Sequence, residues 1–158
     1  MSAASDYLEL ELLDHALGRG ARDYPSPSLY VALFSGTASD VGIALESGSQ
    51  ATTAGNWGRY EINNGGYARR SIAFAVASGG SASSSTAPAF PQATANYNNT
   101  ATSGSTVNYV AIVNHLSDGS SADPVTEVLF YGALTNPKEI LNGDTMSIAT
   151  GSLTVSLA

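Results

Sequence analysis

Apolar positions change their spacing along the chain, and the change divides it into two parts. Between Asp6 and Leu17 they recur at helical intervals, with Leu10, Leu13 and Leu17 in one stripe and Leu8 and Leu12 in a second. The spacing predicts a helix over 6–17, with Asp6 as N-cap, Glu9 three residues on, and Gly18 as the stop. Leucines on two faces imply a helix that packs on the domain with one side and on something else with the other. Complete burial within the domain is the alternative.

Beyond Pro25-Ser26-Pro27 the pattern becomes that of strands. Leu29-Tyr30-Val31-Ala32-Leu33-Phe34 is a short apolar run rich in β-formers and bounded by turn residues, which predicts a central strand buried on both faces. Ser35 to Gly66 is mostly Gly, Ser, Thr, Ala and Asn, with Trp57 and Tyr60 standing out, and it reads as a long loop of the kind that carries contacts. Tyr67 to Ala77 alternates, setting Ile72, Phe74 and Val76 on a packed face and Ser71, Ala73 and Ala75 opposite. Further strands are expected at 107–113, 125–134, 138–141, 145–149 and 152–157. Turns divide them at Asp118-Gly119, Asn136-Pro137, Asn142-Gly143-Asp144 and Gly151. Six or more short strands predict a mainly β fold, an antiparallel β-sandwich or barrel with one N-terminal α-helix. The 158 residues suit a single domain, with the helix in 1–18 and the β part in 28–158.

Composition narrows the function. Lys and Arg number 6 against 13 Asp and Glu, a net charge of −7, so nothing here neutralises a phosphate backbone and nucleic acid is an improbable partner. With no cysteine there are no disulfides, thiolate metal sites or cysteine nucleophiles. The start of the chain lacks a secretory pattern and no stretch is apolar for long enough to span a bilayer, so a soluble chain made in the cytoplasm, with no membrane partner, is expected. From Ser71 to Ser117 there is no Asp, Glu, Lys or Arg at all, 117 − 71 + 1 = 47 residues. Charge is the usual defence of exposed strands, so such a surface suits a subunit covered by neighbours. The bland alternative is a solvated Ser/Gly loop over 78–87.

Candidates for chemistry are few. His15 suits a helix C-terminus and needs no catalytic role. His115 with Ser117 and Asp118 forms a triad only on paper, since there is no nucleophile elbow. Asp118–Asp123 lacks the alternation and the closing glutamate of a calcium loop. No catalytic residue, metal site or cofactor is expected, and the chain reads as a non-enzyme. Two clusters suit binding instead: Leu8 and Leu12 on the helix, and Trp57, Tyr60 and Tyr67 with Arg59, Arg69 and Arg70. Aromatic faces and guanidinium forks serve as interface anchors or as a glycan platform, whereas Arg69 and Arg70 could equally pair with Glu61 inside one subunit.

The ordered segments also resemble a known family. They run from Ser5-Asp6-Tyr7-Leu8-Glu9 and Leu12-Leu13-Asp14-His15 through Leu29–Phe34 to Glu61 before Gly65-Gly66-Tyr67-Ala68-Arg69. Phe90-Pro91-Gln92-Ala93-Thr94-Ala95, Leu129–Thr135, Pro137-Lys138 and Gly143-Asp144-Thr145 before Gly151–Val155 continue the series. Together they resemble small virion structural proteins of tailed bacteriophages, often labelled tail-fibre proteins. The longer stretch before Glu61 and Ala111–His115 depart from that pattern. The resemblance implies a non-enzymatic subunit that assembles into or onto a phage particle. The charge-free span, the two-striped helix and the absence of chemistry suit burial against copies of itself, in a closed ring such as a trimer, and against a major capsid protein or a tail or fibre protein. Capsid decoration, a cement role, is the favoured expectation. A tail- or head-fibre protein binding a host receptor or glycan is the alternative.

Overall fold

The computed structural model describes residues 3–17, 28–36, 38–46, 57–116 and 127–156. A two-residue strand, β1 (Ala3–Ala4), leads into helix α1 (Asp6–Leu17). The cap falls one residue earlier than the spacing implied: the Leu8 amide donates to Ser5 Oγ at 3.3 Å. The Ser5 hydroxyl in turn donates to the carbonyl of Val128, which ties the helix start to a strand 123 residues away.

Strand β2 (Leu29–Phe34) is followed by a second helix, α2 (Ala38–Glu46), then a 3₁₀ turn at Trp57–Tyr60. The loop expected over Ser35–Gly66 is therefore corrected in its described part. Val41, Ala44 and Leu45 lie at i, i+3 and i+4, and burying them on the sheet outweighs the poor helix propensity of Gly42. Strands β3 (Arg70–Ile72), β4 (Ser81–Ser83), β5 (Thr106–Val113), β6 (Val128–Glu139) and β7 (Thr154–Ser156) complete the set.

Five strands form one sheet in the order β1-β6-β5-β2-β3, every pair antiparallel, and β4 pairs with β7 in a two-stranded ribbon. As predicted, β2 is central and buried on both sides. Val31 and Leu33 face a core of Ile72, Phe90, Tyr97, Val107, Ile112 and Ile148. Ala32 and Phe34 face the opposite way, onto Val41, Ala44 and Leu45 of α2. The mainly β, antiparallel fold with an N-terminal helix thus holds. The barrel alternative does not, because among the described residues β1 and β3 remain sheet edges. Opposite the large sheet, the second layer is the ribbon plus irregular chain over 85–104 and 140–153, joined by single bridges.

Four local expectations change. The strand expected over 67–77 shrinks to β3, and Val76, assigned to the packed face, is 95% exposed. Its backbone leaves the sheet as one arm of a hairpin whose tip is Ser78-Gly79-Gly80-Ser81. Positive φ at both Gly79 and Gly80 is what a two-residue type I′ turn demands. The solvated loop over 78–87 is therefore replaced, in part, by the ordered strand β4. Asn136-Pro137 does not separate two strands either. Val107 pairs with Lys138 and Tyr109 with Ala133, so Leu134 to Pro137 bulge out opposite Asn108 within one long β6. The strand expected at 145–149 is reduced to the bridge from Ser147 to Ala89, while the turns at Asn142–Asp144 and Gly151 form as expected.

Candidate functional site

The sequence clusters separate in space. On α1, Leu8 is 1% exposed and Leu12 is half-buried, so this stripe faces the domain. Leu10, Leu13 and Leu17 are 64%, 56% and 72% exposed, so the other stripe faces outward. Two leucine stripes were legible, but which one meets the sheet was not, because both have helical spacing. The link from Ser5 to Val128 decides it by fixing the rotation of the helix about its axis.

The second cluster divides further. Trp57 opens the 3₁₀ turn, and its side chain lies outside the described residues. Arg59 is exposed and its guanidinium carbon sits 5.7 Å from the centre of the Tyr60 ring, a cation–π distance. Tyr60 itself packs beside the α2 core.

Tyr67 and Arg69 point into the domain. Arg69 grips the Glu61 carboxylate in a fork, Nε to Oε1 at 2.8 Å and Nη2 to Oε2 at 2.7 Å, with side chains 0% and 1% exposed. Arg69 Nη1 also donates to the carbonyl of His115 at 2.9 Å. The Tyr67 hydroxyl donates to Glu61 Oε1 and accepts from the Leu33 amide, both at 3.0 Å. Burial raises the Tyr67 pKa well above 10, and the Glu61 charge raises it further. Asn99 joins the same knot by donating Nδ2 to the carbonyl of Glu61. Of the alternatives for Arg69, internal pairing is the one the fold adopts: the fork joins the end of the 3₁₀ turn to the sheet edge and the end of β5.

Gly65-Gly66 makes this knot possible. Gly65 has a φ of 73°, and a Cβ there would stand 2.5 Å from the Ala95 carbonyl, so only glycine lets the chain turn and deliver Tyr67 between Phe90 and Tyr97. Arg70 is half-buried and lines a groove of about 350 Å³ with Ser71–Ala73 and Thr86–Ala89. Burial raises the pKa of Tyr97, and the charge of Arg70 pulls it the other way.

His115 is exposed at the end of β5. Ser117 and the Asp118–Asp123 turn lie outside the described residues, as does the His15 side chain. Among the described residues no three His, Asp or Glu side chains gather as a metal site, and no helix is long and apolar enough to cross a membrane.

Two features were missed from sequence. One is the charge-free hairpin over 73–85, whose signal was Gly79-Gly80 between alternating arms. The other is an apolar groove of about 310 Å³ between that hairpin and the large sheet, lined by Leu29, Phe74, Ile112, Leu129, Phe130 and Val155. It has no simple sequence signal, since its walls come from five separate segments.

A β domain that spends its buried charge on internal cross-bracing and leaves leucines, a valine and an apolar groove outside has the build of a structural subunit. The family description agrees: a profile described as podophage GP4 fiber I protein gp80 matches residues 3–156, and the chain belongs to that family of phage fibre-type structural proteins. No match is found among curated proteins.

Proposed function

We propose that the chain is a non-enzymatic fibre subunit of a tailed-phage virion, assembled from copies of itself through its charge-free side. The observation that carries this reading is the hairpin over 73–85. Val76 stands 95% exposed on it, Phe74 and Ala77 of the same hairpin line the apolar groove, and the span has no charge to oppose an identical surface. The fibre description of the family moves the balance away from capsid decoration. Internal use of Tyr67 and Arg69 leaves Trp57, Arg59, Tyr60 and Arg70 as the residues for any receptor or glycan contact.

Labelling intact virions with a gold-conjugated antibody against the chain, read by electron microscopy, tests the position. Label on a tail or neck fibre is expected. Label spread over the head would replace this reading by the cement role, and unlabelled particles would overturn both. For the assembly surface, sedimentation of Val76→Lys should give a smaller oligomer than the unaltered chain, and an unchanged one would move the contact elsewhere.

A further inference from the structure

We propose that the outward stripe of α1 docks onto a different virion protein, against an apolar helical seam flanked by Lys and Arg. This rests on the virion reading above but concerns a separate surface. Leu10, Leu13 and Leu17 follow the a-d-a spacing of a coiled-coil seam, and all three are more than half exposed. The helix that presents them carries Asp6, Glu9, Glu11 and Asp14 and no Lys or Arg. Glu46, at the end of α2, adds to this: burial raises its pKa, and the carboxylates of Asp6 and then Glu9 raise it further, so the acids crowd one another.

Charge selects the occupant. Two copies joined along the seam would bring acid against acid, since Glu9 holds a flanking position and the helix carries no Lys or Arg to offset it, so self-pairing is penalised. A seam edged by Lys and Arg turns the same positions into attraction. The chain therefore separates its two apolar surfaces by charge, with the uncharged hairpin for copies of itself and the acidic helix for a basic partner.

Removing residues 1–18 is a poor test, because β1 pairs with β6 and Leu8 is buried. The test uses the full chain added to virions produced without it, with the bound chain measured after sedimentation. Leu10→Gln/Leu13→Gln/Leu17→Gln should keep the thermal midpoint and oligomer size of the unaltered chain while its affinity falls about tenfold or more. Glu9→Lys/Glu11→Lys should lose affinity too, and binding of the unaltered chain should weaken as salt rises. Normal binding of the leucine variant overturns the proposal. So does dissociation of that variant into smaller oligomers, which would make a second copy the occupant, or normal binding of the charge-reversed variant. If the unaltered chain itself does not bind, the virion reading falls, and this inference with it.

Discussion

Replacing Arg69 with methionine separates a structural arginine from a binding one. The unaltered side chain makes three charge-assisted hydrogen bonds of 2.7–2.9 Å and is fully buried, so water cannot substitute for it. Methionine fills much of the stem volume, which leaves the apolar burial nearly unchanged. What is lost is the counter-ion of a carboxylate that is 1% exposed and one partner of the His115 carbonyl. Breaking a buried pair from one side costs about 3–5 kcal/mol, and the lost hydrogen bond to the part-buried His115 carbonyl adds to it. Against a typical domain stability of roughly 5–15 kcal/mol this is a large share, and at about 2–4 °C per kcal/mol the thermal midpoint should drop by about 10 °C or more. Thermal melts by circular dichroism and urea titration measure it. The double variant Glu61→Leu/Arg69→Met should recover part of the loss, because it leaves no uncompensated charge, but not all of it, because the Tyr67 hydroxyl loses its acceptor. A loss below about 1 kcal/mol for Arg69→Met would refute the cross-brace. If stability held and particle attachment fell instead, Arg69 would belong to an interface.

Three further outcomes follow from the same geometry. Gly65→Ala should cost about 2–3 kcal/mol, because alanine is strained at a φ of 73° and its Cβ meets the Ala95 carbonyl; a urea midpoint within error of the unaltered chain would contradict this. Tyr67 keeps its proton in the folded state past pH 10 while the unfolded chain releases it, so stability should hold up to about pH 10 and fall above it. Tyr67→Phe should flatten that fall, as read by melts between pH 9 and 11, and an unchanged slope would count against it. Glu46 has a raised pKa, so its effect on stability is most favourable below the ordinary carboxylate range and worsens as pH rises through the raised value. Glu46→Gln should therefore raise the thermal midpoint more at pH 7 than at pH 4, and equal shifts at both would dismiss the acid crowding.

Legibility followed the range of the interaction. Leucine spacing is set within a few turns, so the helix over 6–17 was readable in its extent, while its cap moved to Ser5 because that hydroxyl is held by Val128. The apolar run 29–34 reported burial on both sides because a central strand has no polar face. Asn142-Gly143-Asp144 and Gly151 announced turns through backbone conformations that side chains resist. Helix α2 was hidden because Gly42 and the 75% exposed Ile43 interrupt its three buried residues and blur the apolar stripe, and the helix forms only where the sheet covers them. Alternation placed Ile72, Phe74 and Val76 on one face correctly as a pattern, but the hairpin carries Val76 away from the core before the face is covered.

The candidate surfaces show the same division. Two leucine stripes, a charge-free span and a cluster of aromatics with arginines belong to the sequence alone, because they are matters of spacing and composition. Which stripe faces out, and whether Arg69 holds a partner or its own chain, depends on contacts between distant residues, Ser5 with Val128 and Arg69 with His115. Neighbouring positions decide what each segment can form, and only the packed chain decides which of its apolar and charged groups remain for another molecule.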